Sequence, residues 1–397
     1  MILNKCRVCN SLKLVKVFSL GPQPLANNLS NHDKEISEKY PLELNVCKLC
    51  FNCQLTYVIN PKKLFLKYLY QSSISKKFQK HFDTACQKYI SMFNLSKSKS
   101  VILDIGSNDG IGLIPFKKRG FVNLIAVEPS KNLAQITAKL KIKTYNSFLN
   151  EKIANRNFKK CNLITASNIF AHVNNIKNMT KNIFNCLHSD GILVLEVQYL
   201  INMLKEKSFD NIYHEHVNYW SVNSLLNFFS KFNASIFRVE KVFTHGGSIR
   251  VFIKKDINDS LKIHTSVQKF LNIEKKFKIN SFNVYKKFYN SILHRKIKVI
   301  NYLKNLKSKK KLIIGFGAPA KATTFINYFN IKKYIEYIVD DNKLKNKKYI
   351  PNTKIIILNK PKHRFVDYVI VFAWNYFDEV KKKNRTLSNK FINLFNI

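Results

Sequence analysis

At 397 residues the chain is long enough for two or three domains, each with its own core, and its 68 Lys and Arg against 24 Asp and Glu give a formal net charge of +44. Such a charge raises nucleic acid or a membrane surface as a partner, but the lysines run from end to end among abundant Asn and Ile, a chain-wide bias without a patch, so nucleic acid is set aside. No uninterrupted apolar run approaches the ~20 residues of a membrane span and Met1-Ile-Leu-Asn-Lys-Cys6 is no signal segment, so a cytoplasmic protein with reduced cysteines and no membrane contact is expected.

The first elements are two knuckle pairs, Cys6-x-x-Cys9 and Cys47-x-x-Cys50. Four thiolates so grouped suit tetrahedral zinc, and with every position filled by sulfur no site is left for a substrate, so the zinc is read as structural. Cys53 is a spare that could replace Cys50, while Cys86, Cys161 and Cys186 read as core residues. The span between the pairs is expected to form strands and turns pinned by the metal, a zinc-binding domain over residues 1–75 that includes Tyr68-Leu-Tyr-Gln-Ser-Ser73. An amphipathic stretch from Lys76 to Phe93 follows.

Val101-Ile-Leu-Asp-Ile105 is an apolar run with one acid, Asp104, and it breaks at Gly106 into Ser107-Asn108-Asp109-Gly110 before Ile111 begins a helical period. This is a strand, glycine loop, helix unit. A dinucleotide would want G-x-G-x-x-G for its diphosphate, whereas acids at Asp104 and Asp109 suit the sulfonium and ammonium of S-adenosylmethionine. A second run, Asn123 to Val127, ends in Glu128, at the spacing of a ribose-binding acid. The bland alternative is a glycine turn in a doubly wound sheet with no ligand.

The runs Val101–Ile105, Asn123–Val127, Leu163–Ala166 and Gly191–Val197 alternate with helical stretches, so a parallel sheet covered on both faces is expected over residues 76–255. Two strand ends are polar: Ser167-Asn168 leads to His172, and Gln198-Tyr199 leads to Tyr213-His-Glu-His216. His172 alone reads equally as a structural residue, but four adjacent proton-handling side chains have little packing use, and imidazole suits base work near neutrality. A metal on His214 and His216, on one face of a strand, lacks a third ligand of suitable spacing. In Thr244-His-Gly-Gly-Ser-Ile-Arg250 the glycines permit close backbone approach and Arg250 could hold an anion; a hairpin turn is the plain alternative.

Residues 256–310 are lysine-rich and helix-patterned, a connector. Residues 311–397 open on a second glycine unit, in which Gly315, Gly317 and Ala320 followed by Asp340 meet the dinucleotide fingerprint. Pro319 removes an N–H from that loop, so the unit is read as a Rossmann-like domain contacting another nucleotide-bearing ligand rather than as an NAD site.

The four knuckle cysteines, Gly21-Pro-Gln-Pro-Leu-Ala26, Tyr70-Gln-Ser-Ser73, Asp104-Ile-Gly-Ser-Asn-Asp-Gly110, Tyr213-His-Glu-His216, His245-Gly-Gly-Ser248 and Gly317-Ala-Pro-Ala-Lys321 occur in this order in the nucleotide-sugar C-methyltransferases. Over essentially its full length the chain resembles that family. The resemblance implies an α/β protein: a class I S-adenosylmethionine methyltransferase (Rossmann-like) core, a small N-terminal zinc-binding domain and a C-terminal Rossmann-like domain. It also implies methylation at carbon 3 of a dTDP-linked 4-keto deoxysugar. The proton beside a ketone is acidic because the enolate is delocalised onto oxygen, so a base, here His216, can remove it before the methyl arrives. By resemblance His172, Tyr213 and Glu215 line that site, Tyr70 reaches in from the zinc domain, and Tyr213 or His172 hydrogen-bonds the enolate oxygen. Asp104, Gly106, Ser107, Asn108, Gly110, Glu128 and Asn168 are the expected cofactor contacts. The chain departs from the family pattern at Cys53, which is extra, and at Phe51, where a glycine often stands. Competing readings are an O- or N-methyltransferase, which needs no enolate-forming base, and a basic zinc-containing RNA methyltransferase.

Overall fold

The computed structural model describes residues 1–66, 71–155 and 160–397; Tyr68 and Tyr70 lie outside them. The zinc segment is an antiparallel sheet in which β1 (Leu14–Pro24) pairs with β2 (Lys39–Cys47), and β2 with β3 (Cys53–Leu55). Along β2 the alternation Tyr40, Leu42, Leu44, Val46 puts every second side chain into the core, as a sheet with one covered face requires.

The central sheet is built from β4 (Ile102–Ile105), β5 (Leu124–Val127), β6 (Lys143–Tyr145), β7 (Cys161–Ser167) and β8 (Leu187–Gln198), all parallel. β9 (Asn218–Tyr219) leaves it to pair with β3, closing the edge of the zinc-domain sheet. β10 (Ala234–Val242) and β11 (Ser248–Lys255) return to the central sheet, whose order is β10-β11-β8-β7-β4-β5-β6 with β11 antiparallel to both neighbours. The chain runs outward from β4 to β6 and then crosses back to β7, so the switch point lies at the ends of β4 and β7, where a doubly wound sheet opens a crevice. The helix expected from Lys76 spans Lys76–Met92 and is capped by the Ser75 hydroxyl, which accepts from the Phe78 N–H.

Residues 256–310 do form helices, Ser266–Phe277 and Phe282–Ser308, yet these pack as part of the core. The buried Glu274 accepts from the Tyr199 hydroxyl and from the Val222 and Asn223 N–H groups, capping helix Val222–Phe229, and Phe288 and Tyr289 lie about Phe18 of β1. The third domain is a parallel sheet of β12 (Ile313–Phe316), β13 (Tyr337–Val339), β14 (Ile356–Leu358), β15 (Tyr368–Val371) and β16 (Phe391–Ile392), in the order β14-β13-β12-β15-β16. It is stitched to the first domain where Thr323 donates to the Ala26 carbonyl (2.8 Å) and where Asn352 exchanges two hydrogen bonds with the Ser37 backbone. No helix among the described residues is long and apolar enough to cross a membrane.

Candidate active site

A cavity of about 470 Å³ opens at the ends of β4, β5 and β7. Of the expected cofactor residues Asp104, Gly106, Ser107, Asn108, Glu128 and Asn168 line it, while Gly110 stands behind the loop. Gly106 (φ +66°) turns the chain off β4, with its N–H on the Val127 carbonyl at 2.7 Å; a Cβ there would lie 2.3 Å from Ile169 Cδ1. Asn108, at φ 52°, accepts the Ser72 N–H, and Asp109 accepts the Ser73 N–H, both at 3.0 Å, so the segment arriving from the first domain lies over the glycine loop. Asp109, expected to face a cation, instead anchors this cover and does not line the cavity.

Burial pushes the Asp104 carboxyl up to about 7 against a 2.6 Å hydrogen bond from Thr165. It does the same to Glu128, also to about 7, although that carboxylate accepts the Ser130 and Asn108 N–H groups at 2.9 Å each. Among the described residues neither acid makes an ion pair. Two desolvated carboxyls without a counter-cation fit a positively charged nucleoside such as S-adenosylmethionine and oppose a diphosphate. The Ser107 hydroxyl, buried with no partner among the described residues, adds an unspent polar group to the same wall.

Tyr213-His-Glu-His216 is a turn, so His214 and His216 do not share the one strand face a joint metal site would use and the side chains diverge. His216 donates Nδ1–H to the Asn211 carbonyl (2.8 Å), which leaves the lone pair on Nε2, and that atom accepts the Tyr213 hydroxyl at 2.9 Å. His172 lies edge-on to His216, ring centroids 4.9 Å apart, and all three line the cavity. His214 points the other way: buried, it meets the Tyr40 carbonyl at 3.2 Å and is pushed down to about 4 by desolvation, a neutral anchor remote from any metal role. Glu215 is not among the residues that line the cavity; its carboxylate accepts from Asn27 at 2.6 Å, which ties this turn to the first domain. Tyr70 falls outside the described residues. The carboxamides of Asn60, Asn174 and Asn178, which sequence patterning did not single out, complete the polar side of the cavity.

Arg250 does not wait for an anion. Its guanidinium meets buried Glu196 at 2.5 and 2.8 Å, with His81 on the same carboxylate at 2.8 Å; burial opposes the charge on Glu196, but these partners hold its carboxyl below the usual range. In the third domain Asp340, at the position of a ribose-binding acid, accepts the Ala318 and Asn342 N–H groups at 2.6 and 2.9 Å. The loop that would cradle a phosphate therefore spends its N–H on the domain's own acid, against a dinucleotide site.

The Sγ atoms of Cys6, Cys9, Cys47 and Cys50 all lie within 4.8 Å of one another, with Cys6–Cys50 at 3.4 Å and Cys9–Cys47 at 3.5 Å. Zn–S bonds of about 2.3 Å give tetrahedron edges of roughly 3.8 Å, so the four sulfurs fit one zinc ion. Cys53 is not in the cluster; it is enclosed on β3, and burial drives its thiol pKa up.

Three family models match the chain in order: a putative zinc binding domain over residues 6–65, a methyltransferase domain over 78–239 and a C-methyltransferase C-terminal domain over 243–394. The C-methyltransferase NovU of Streptomyces niveus is 27% identical over 387 residues, covering 95% of this chain and 91% of that protein. Among solved structures, an S-adenosylmethionine-dependent methyltransferase from Clostridium acetobutylicum is 14% identical with a TM-score of 0.37, covering 44% of this chain and 91% of the other. The plantazolicin methyltransferase BpumL in complex with SAH is 14% identical with a TM-score of 0.38, covering 46% and 86%.

Proposed function

We propose that this chain, an S-adenosylmethionine-dependent C-methyltransferase with a class I methyltransferase core and a zinc-binding first domain, methylates carbon 3 of a nucleotide-linked 4-keto deoxysugar through an enolate. The observation that carries this reading is the Tyr213–His216 pair beside His172, lining the same cavity as Asp104 and Glu128. O- or N-methylation would need no enolate-forming base, and the carbon-3 exchange below separates the two.

His216 acts as the base. Its Nδ1–H is held by the Asn211 carbonyl, so Nε2 is the atom that takes the proton from carbon 3. In the free site that lone pair is occupied by the Tyr213 hydroxyl, and a substrate C–H competes for it. The phenol so released, with His172 alongside, donates to the ketone oxygen as charge develops there. Asp104, Glu128 and the turn at Gly106 hold the nucleoside of S-adenosylmethionine, which when bound supplies an electrophilic methyl group. Asn60, Asn174 and Asn178 offer donors and acceptors for sugar hydroxyls, and the covering Ser72–Ser73 segment keeps water from the enolate.

The test is exchange of the proton at carbon 3 of a dTDP-linked 4-keto deoxysugar, followed by NMR in deuterium oxide with S-adenosylhomocysteine present. The parent protein should exchange it. His216→Asn should exchange it slower by a factor on the order of a hundred to ten thousand, while binding S-adenosylhomocysteine as before. Parent-rate exchange in that variant, or none in the parent, overturns the proposal.

A further inference from the structure

The short turn Phe209–Asn211 precedes Tyr213-His-Glu-His216, and all three of its residues are buried. Two of them are held by the third domain. The Phe209 ring stacks on Phe329, centroids 4.8 Å apart and planes 14° from parallel, and Asp210 accepts the indole N–H of Trp374 at 2.8 Å. The third residue, Asn211, supplies the carbonyl on which His216 Nδ1 rests.

We propose that the third domain positions the base: Trp374, by holding Asp210, fixes the turn whose backbone carbonyl sets the tautomer and placement of His216. The inference rests on His216 being the base. Four features converge on it. The second carboxylate oxygen of Asp210 is buried with no hydrogen-bond partner among the described residues, so the indole N–H is the side-chain donor on this carboxylate. Lys321, from the Gly317-Ala-Pro-Ala-Lys321 motif, brings its buried ammonium over the Trp374 ring at 4.5 Å and adds its charge to the surroundings of Asp210, whose carboxyl burial otherwise pushes up. At Gly246 a Cβ would lie 2.9 Å from Trp374 Cη2, so this glycine leaves room for the indole. Finally, the domain's own fingerprint acid is spent on its loop, which leaves its Rossmann-like frame free for this bracing role.

Trp374 and Asp210 are thus positioning residues with no contact to substrate. The test measures carbon-3 proton exchange with the dTDP-linked 4-keto deoxysugar, S-adenosylhomocysteine affinity and zinc content for Trp374→Phe, Asp210→Ala, Asp210→Asn and His216→Asn. Trp374→Phe and Asp210→Ala should exchange at least about tenfold slower with cofactor affinity and zinc unchanged, because a base displaced by a fraction of an ångström loses its near-attack geometry. Asp210→Asn keeps an oxygen for the indole N–H and should recover most of the rate. Parent-rate exchange in both disruptive variants, an Asn variant as slow as the Ala variant, or loss of cofactor affinity alongside exchange overturns the inference. If His216→Asn exchanges at the parent rate, the base assignment itself falls; if it is inert while Trp374→Phe is normal, only the positioning role falls.

Discussion

Asp104 and Glu128 carry the strongest electrostatic strain in the cavity, and its sign gives a pH dependence. Both are pushed up to about 7 by burial, so below that pH the empty protein holds them protonated and neutral. An acid raised in this way makes the folded state lose stability as pH climbs from its ordinary value to its folded one, since the native form retains protons that the unfolded chain releases. Binding a cation reverses the preference. Affinity for S-adenosylmethionine should therefore strengthen as pH rises toward 7 and level off above it. Calorimetric titrations from about pH 5.5 to 8.5 should show this slope and proton release below neutrality, and Asp104→Asn should flatten it. The places of Asp104, Glu128 and His172 in the cavity were legible because each stands in or just after a strand of the central sheet, and those of Tyr213 and His216 because adjacent proton-handling side chains have little packing use. His214, Glu215, Asp109 and Arg250 were not, because what each does is decided by a partner from a distant segment: Tyr40, Asn27, Ser73 and Glu196. Residue type marked them as functional, and only the fold shows which distant segment each one holds.

At the scale of elements, the alternation of apolar runs was enough to read the central sheet, since buried parallel strands announce themselves by composition. β9 was beyond such reading. It has two residues, and they are a strand because the edge of β3 from another domain accepts them. The junction is fixed by side chains as well: Asn218 donates to the Asn52 carboxamide oxygen at 2.8 Å and Asn52 returns the bond at 3.3 Å, both residues buried. Asn218→Ala leaves the buried Asn52 carboxamide oxygen without its donor, while Asn52 Nδ2 keeps the Gln54 side chain at 3.1 Å, and the lost pairing costs about 1–3 kcal/mol. Denaturant unfolding should show that loss, and exchange at carbon 3 should slow as well, because β9 follows His216 by one residue. The helices of residues 256–310 were read as a connector for a similar reason: helical periodicity shows a buried stripe without saying what covers it, and Glu274 capping helix Val222–Phe229 is a tertiary fact.

Across the whole molecule, the stretch from Phe209 to Tyr219 is where three domains meet. The third holds Phe209 and Asp210, the first holds His214, Glu215 and Asn218, and the central sheet's own loop takes the Val217 N–H on the Ala171 carbonyl. The expected cofactor contacts Asp104, Gly106, Ser107, Asn108, Glu128 and Asn168, by contrast, stand at the ends of β4, β5 and β7, and the first domain reaches their glycine loop through the backbone of Ser72 and Ser73. The zinc ion thus stands behind one half of the chemistry far more than the other. Metal binding supplies folding free energy to a domain of this size, so a chelator should loosen β1 to β3 and with them the Tyr40, Asn27 and Asn52 contacts. Turnover and carbon-3 exchange should then fall by at least about tenfold. Affinity for S-adenosylhomocysteine, measured on the same chelated sample, should fall far less. Equal losses of both would mean that the central sheet depends on the metal as well, and parent-level exchange without zinc would mean that the first domain has no part in holding His216.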